Sequence, residues 1–153
     1  MHFLSSFDVL IWILSKPGKY KQLDKEYKSS EQYTVFIEYT AKPNELKTKG
    51  LPWELAKAFD GSAPIGNFIN IESIDMKNID FSLQKNGQEV QQGNTSQMIF
   101  SFEQIVSFVS QYFTLKVGDL IYTGTPAGVG KVNIGDHLEG FIGNESMLIC
   151  EVK

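Results

Sequence analysis

The stretch TLKVGDLIYTGTPAGVG, from Thr114 to Gly130, places two hydroxyl side chains inside a glycine-rich turn that follows a short apolar run. Leu120 to Tyr122 is typical of a short buried strand, and the glycines after it allow a backbone to approach a ligand without interference from Cβ atoms. The hydroxyls of Thr123 and Thr125 can then donate to an anion. The pattern indicates a carboxylate-binding loop, and an ordinary connecting turn is the alternative explanation.

Strand patterns surround this loop. Tyr33 to Tyr39 is rich in β-branched and aromatic residues and predicts a strand that carries Glu38 near its end. Two short runs that flank Asn86-Gly87 predict a β-hairpin, because Asn-Gly favours the tight turn that joins antiparallel strands. The tail from His137 to Val152 predicts a second hairpin with Gly143-Asn144 in its turn. The chain is therefore expected to be strand-dominated.

Helix signals are fewer. Leu51 to Phe59 has Pro52 at a helix-initiating position and predicts one or two helical turns that carry Lys57. Ser101 and Gln104 form a capping box ahead of apolar residues at helical spacing. These apolar residues are Phe102, Ile105, Val106, Val109, Tyr112 and Phe113. We interpret this stripe as part of the core rather than as a cofactor-binding surface.

Composition limits the function classes. The 153 residues, 42% of them apolar, can bury the core of one domain. A net charge of −4, with 14 lysines and no arginine, argues against a nucleic-acid surface. The chain has a single cysteine, Cys150, so an internal disulfide is impossible, and a reducing, cytoplasmic compartment is expected. Cys150 itself is expected to be a small core residue. The apolar run from Phe3 to Leu14 is too short to span a bilayer and lacks the features of a signal peptide, so no membrane partner is expected.

Three segments, in this order, resemble the C-terminal domain of the fumarylacetoacetate hydrolase superfamily, in particular its acylpyruvate hydrolase and oxaloacetate decarboxylase type. They are KGLPWELAKAFDGSAPIGNFI (Lys49 to Ile69), NGQEVQQGNTSQMIFSFEQIVSFVS (Asn86 to Ser110) and the loop stretch Thr114 to Gly130. The resemblance implies a mixed α+β, strand-dominated fold: an incomplete curled β-sheet or barrel with one main helix. Residues 33–153 form the family-like domain, and residues 1–32 match no family segment and are expected to be a linker or disordered.

The resemblance also implies a chemistry. Family members hold Mg²⁺ with three carboxylates, and the metal is chelated by a 2-oxo or 1,3-diketo acid so that an enolate is stabilised. One of these carboxylates, an aspartate in the family, falls at Glu38. Lys57 matches the catalytic lysine that offsets negative charge on the substrate, and Thr125 matches the threonine that binds its carboxylate. Lys42 replaces a substrate-binding arginine, so the positive charge is kept but the two-pronged hydrogen bonding of a guanidinium is lost. Glu139 either touches the substrate or is an exposed strand residue.

Several family features are missing from the sequence. It has no Glu-x-Glu pair to supply the other two metal ligands. Its two histidines, His2 and His137, do not match the histidine of the family's lid. Magnesium binding is therefore expected to be weak or absent. A phosphate-binding loop is excluded as well, since that motif needs glycine at Thr125 and a hydroxyl at Val132.

Two functions remain open. The first is a metal-dependent enzyme that hydrolyses or decarboxylates a small oxo acid. The second is an N-terminally truncated, inactive family member that acts as a dimerising or ligand-binding module. A homodimer is expected in both cases, because family members pair and because unpaired strand edges seek partners. The first thirty or so residues are expected to be sensitive to protease, and the chain from Tyr33 onward to resist it.

Overall fold

The computed structural model describes residues 3–13, 32–41, 43–70 and 75–153. The strands are β1 (Phe3–Ile13), β2 (Gln32–Ala41), β3 (Ile69–Asn70), β4 (Asp80–Lys85), β5 (Gln88–Asn94), β6 (Leu120–Tyr122), β7 (Gly130–Val132), β8 (His137–Ile142) and β9 (Glu145–Glu151). The α-helices are α1 (Pro43–Lys49), α2 (Glu54–Lys57) and α3 (Phe102–Tyr112). In these ranges no helix is both long and apolar enough to cross a membrane.

The described strands form two antiparallel sheets. The first has the order β3-β2-β1-β6, and β7 also pairs with β1. The second has the order β5-β4-β8-β9, built from the two hairpins that the sequence predicts. The strand-dominated α+β fold with one main helix is thus confirmed, as two separate sheets rather than one closed barrel.

The strand β1 lies in the middle of the first sheet. It pairs with β2 along one edge and with β6 and β7 along the other. This differs from the expectation that residues 1–32 form a linker or disordered segment. Because this apolar run is paired along both edges, its backbone N–H and C=O groups find hydrogen-bond partners, as they do in the central strand of a sheet. Residues 14–31 lie outside the described residues, and for them the expectation stays a prediction.

The core lies between the two sheets. Val35 and Ile37 of β2 are completely buried, and so is Leu138 of β8, against which β2 packs. The Tyr39 hydroxyl and the Cys150 sulfur meet at 3.4 Å and join β2 to β9. Burial raises the pKa of both groups, so both stay neutral at ordinary pH. Cys150 packs against the core, as the sequence predicts.

The helix α3 begins with the predicted capping box. The Ser101 hydroxyl accepts from the backbone N–H of Gln104 at 3.3 Å, and the side-chain oxygen of Gln104 accepts from the backbone N–H of Ser101 at 2.8 Å. Phe102 and Val106 are buried, as expected. Tyr112, however, is 67% exposed, so the prediction of a core role for the whole stripe is wrong at its end. Six residues beyond Val106 correspond to about 240° of helix rotation, which turns Tyr112 away from the buried face.

The tight turn of the first hairpin also fastens the second. Asn86 and Gly87 have φ angles of 53° and 79°, the left-handed pair that an Asn-Gly turn requires. The Asn86 side chain donates to the Asp136 carboxylate at 2.8 Å and accepts from the His137 amide at 2.9 Å. The backbone N–H of Asn133 and the Asn86 amide lower the pKa of Asp136. The polar contacts therefore hold the start of β8 beside the β4–β5 turn.

Candidate functional site

Glu38 and Lys57 meet on the outer face of the first sheet. Ile37 and Tyr39 belong to the core, so Glu38, which lies between them, faces the other way. The short helix α2 packs against β2 and carries Lys57 at its last residue. The Lys57 ammonium lies 2.7 Å from a Glu38 carboxylate oxygen, and the two side chains are only 29% and 27% exposed. The structure thus joins two of the residues predicted from the sequence in a half-shielded ion pair.

The glycine-rich loop follows β6. Ile121 is buried and anchors that strand, and the chain leaves the sheet at Thr123 before it returns as β7. Gly124 and Gly128 have φ angles of 109° and 112°, in the left-handed region that glycine tolerates. The predicted strand and turn are therefore both present, and the backbone conformation explains why this loop needs glycines.

The sheet register brings the loop and Glu38 to opposite edges of the same part of β1. On one edge, β6 pairs with Ile11–Ile13 and β7 pairs with Phe3–Ser5, so the loop connects across residues 6–10. On the other edge, Glu38 pairs with Ser6. Neighbouring strands lie about 4.8 Å apart. The two predicted groups of site residues are therefore separated by a single strand.

Thr125 lies at a cavity beside the loop. Its hydroxyl accepts a hydrogen bond from the Gln91 amide at 3.2 Å. The cavity has a volume of about 470 Å³ and is bounded by the loop and by apolar side chains that include Phe81 and Met98. This volume is within the range of small-molecule sites. Glu38 and Lys57 are not among the described residues that line it, so the ion pair lies outside this cavity.

Glu139 lies elsewhere. Leu83 pairs with both Gln91 and Gly140, so these residues share the inner face of the second sheet. Glu139 is next to Gly140 and faces outward, where its carboxylate accepts from the Ser146 hydroxyl at 2.5 Å. The structure therefore does not bring Glu139 to the loop, and its predicted contact with a substrate stays a prediction.

The described residues do not by themselves fit a divalent metal. Such an ion takes about six or more oxygen ligands, several of them usually from the protein. No group of three histidine, cysteine, aspartate or glutamate side chains comes together in the part of the chain that was described. Glu38, the predicted ligand, is engaged by the Lys57 ammonium instead. The predicted substrate-binding Lys42 lies outside the described residues.

Sequence reasoning missed Gln91, the partner of Thr125. The Gln91 side chain is only 3% exposed and lies on the inner face of β5, opposite Leu83. The sequence did contain a sign of its importance, because a glutamine at an inward-facing position of a strand needs a hydrogen-bond partner. The identity of that partner depended on how the loop folds back onto the second sheet.

Comparison with known proteins agrees with the resemblance. The model of the family described as "Fumarylacetoacetate (FAA) hydrolase C-terminal" matches residues 13–152. The mitochondrial oxaloacetate tautomerase of Caenorhabditis elegans is 44% identical over 110 residues, which are 70% of this chain and 51% of that protein. The mitochondrial oxaloacetate tautomerase of Homo sapiens is 45% identical over 113 residues, or 72% of this chain and 51% of that protein. The chain spans about half the length of these curated relatives.

Solved structures show the same fold. Fumarylpyruvate hydrolase from Pseudomonas aeruginosa, in complex with Mn²⁺ and pyruvate, has a TM-score of 0.84 and 31% identity, covering 99% of this chain and 66% of that one. Yeast ynq8, a fumarylacetoacetate hydrolase family protein, has a TM-score of 0.82 and 29% identity, covering 99% and 68%. With the match of the family model to most of the sequence, these likenesses confirm the resemblance, and the chain belongs to the fumarylacetoacetate hydrolase family.

Proposed function

We propose that this chain binds a small 2-oxo or 1,3-diketo acid and takes part in its conversion through an enolate, by C–C hydrolysis, decarboxylation or tautomerisation. The observation that carries the proposal is the Lys57–Glu38 ion pair at 2.7 Å, separated by one strand from the glycine-rich loop of Thr125. Relatives named as oxaloacetate tautomerases and a relative solved with pyruvate support the substrate class.

The roles follow from the charge of the groups. The Thr125 hydroxyl donates to the substrate carboxylate, and the Lys57 ammonium faces the oxo oxygen on which negative charge develops. Glu38 holds Lys57 in the ion pair until the substrate oxygen competes for the ammonium. A cation already held beside the reacting oxygen needs little reorganisation when the enolate forms.

Calorimetric titration with oxalate, an enolate mimic, tests the role of the loop. Thr125→Val keeps the shape of the side chain but removes the hydroxyl, so we expect the dissociation constant to rise about tenfold. Thr125→Ser keeps the hydroxyl and is the matched control, with affinity expected near that of the unchanged chain. Equal affinity of the valine and serine variants would overturn the role of Thr125.

A second candidate function is binding of the oxo acid without turnover. The observation that favours it is that the described side chains include no cluster of three potential metal ligands. In this case Mg²⁺ or Mn²⁺ binds weakly and leaves oxalate affinity nearly unchanged. Turnover of oxaloacetate together with tight, stoichiometric metal binding would decide for the enzyme. Oxalate binding without either result would decide for the binding module.

A further inference from the structure

We propose that Gln91 is a positioning residue that seats the Thr125 loop on the second sheet and sets the direction of the Thr125 hydroxyl hydrogen bond. The proposal rests on the proposed function, because it concerns the loop that binds the carboxylate. Gln91 touches no reacting atom and acts through Thr125.

The contacts of Gln91 are specific. Its amide nitrogen lies 3.2 Å from the Thr125 hydroxyl oxygen and 3.3 Å from the Pro126 carbonyl oxygen. The side chain is 3% exposed, so these bonds are formed away from bulk water. A buried amide that lost them would leave unsatisfied donors.

The Pro126 carbonyl fixes which way the amide points. A carbonyl oxygen only accepts, so the Gln91 group that faces it must be the NH₂ and not the amide oxygen. The same nitrogen therefore donates its other hydrogen to Thr125. A threonine hydroxyl that accepts from an amide directs its own proton elsewhere, and a proton donor is what an anionic carboxylate requires.

Backbone packing supports the same contact. A Cβ atom at Gly128 would lie 2.6 Å from the Val90 carbonyl oxygen and 2.7 Å from the Gln91 Cγ atom. Gly128, which follows Thr125 and Pro126 in the loop, therefore packs tightly against β5 at Gln91. Hydrogen bonds and close packing thus converge on one residue of the second sheet.

Two substitutions separate the direction of the hydrogen bond from the seating of the loop. Gln91→Glu keeps the shape, but an ionised carboxylate accepts the Thr125 proton and places a negative charge behind the loop. Gln91→Met keeps the approximate size and removes both bonds. The matched control is Gln92→Glu, the same change at the exposed neighbour on the opposite face of β5.

The measurements are oxalate affinity by calorimetry and the NMR shifts of the loop amides, residues 123–129, without ligand. We expect Gln91→Glu to weaken oxalate binding at least about tenfold, and the loss to shrink as falling pH protonates the new carboxyl. We expect Gln91→Met to shift the loop amides and weaken binding less than Gln91→Glu does. Gln92→Glu is expected to stay within about twofold, since an exposed charge is screened.

The possible outcomes can be told apart. If Gln91→Glu does not fold, Gln91→Met decides through the loop shifts and the affinity. Unchanged loop amides and unchanged oxalate affinity in Gln91→Met, or equal losses in Gln91→Glu and Gln92→Glu, would overturn the proposal. If the unchanged chain binds no oxalate, the proposed function fails, and the loop amides of the ligand-free variants still decide whether Gln91 seats the loop.

Discussion

At the scale of single residues, local motifs predicted three side chains that the structure places around one strand. Lys57 and Thr125 lie in segments that carry the family resemblance, and Glu38 lies near the end of the strand predicted at Tyr33 to Tyr39. Gln91 could not be assigned in the same way, because its contact joins residues 34 apart in the chain and exists only after the loop folds onto β5. The three candidate residues could thus be selected from local sequence, whereas the Gln91–Thr125 contact could not.

Replacing Lys57 by alanine removes the cation that Glu38 faces. We expect oxalate affinity to fall about tenfold and the free energy of unfolding to fall by about 1 kcal/mol, because the ion pair is only partly exposed. Calorimetry and denaturant titration measure the two effects.

Lys49→Ala is the matched control for this change. It breaks another ion pair, 2.8 Å from Glu45, at an exposed position on α1. We expect no loss of oxalate affinity in that variant. If both alanine variants bind oxalate as the unchanged chain does, the Lys57–Glu38 pair is structural only.

At the scale of elements, the sequence predicted the hairpins and the capped helix, since each depends on residues close in the chain. It did not predict β1 as a strand, because an apolar run carries no sign of its partners, and β1 pairs with strands from both halves of the chain. It made no helix prediction at Pro43–Lys49, where the structure has α1.

The polar contacts of Asp136 predict loss of stability in acid. The pKa of Asp136 is lowered in the folded chain, so its contribution is present above the ordinary carboxyl value of 3.8 and is lost as the pH falls through the lowered value. We expect Asp136→Asn to be less stable at neutral pH and to show a flatter decline of melting temperature in acid. The exposed Asp60→Asn variant is the control, and a decline equally steep in all three proteins would refute this role.

At the scale of the whole molecule, two sheets enclose a core while one side of α3 stays apolar and uncovered. Phe108 and Tyr112 are 60% and 67% exposed, with ring centres 5.3 Å apart, and Phe113 beside them is 66% exposed. Contiguous exposed aromatic side chains mark interaction surfaces. The sequence could not predict this surface, because the same helical spacing also fits a fully buried stripe.

We expect the chain to form a homodimer through this aromatic side of α3. Light scattering after gel filtration should give twice the chain mass, and Phe108→Glu with Tyr112→Glu should give a monomer. Ile149→Glu, at a residue of β9 that is 62% exposed, should leave the dimer intact. A compact monomer of the unchanged chain would contradict the expectation.

If the ion pair and the loop form one site for one oxo acid, both must respond to the same bound ligand. An NMR titration with oxalate measures both responses, because the backbone amides of residues 123–129 and those around Glu38 and Lys57 are observed separately. We expect both groups of amides to shift along one binding curve, with a stoichiometry of one oxalate per chain. Shifts confined to one group, or two curves with different dissociation constants, would show that the ion pair and the loop are not one site.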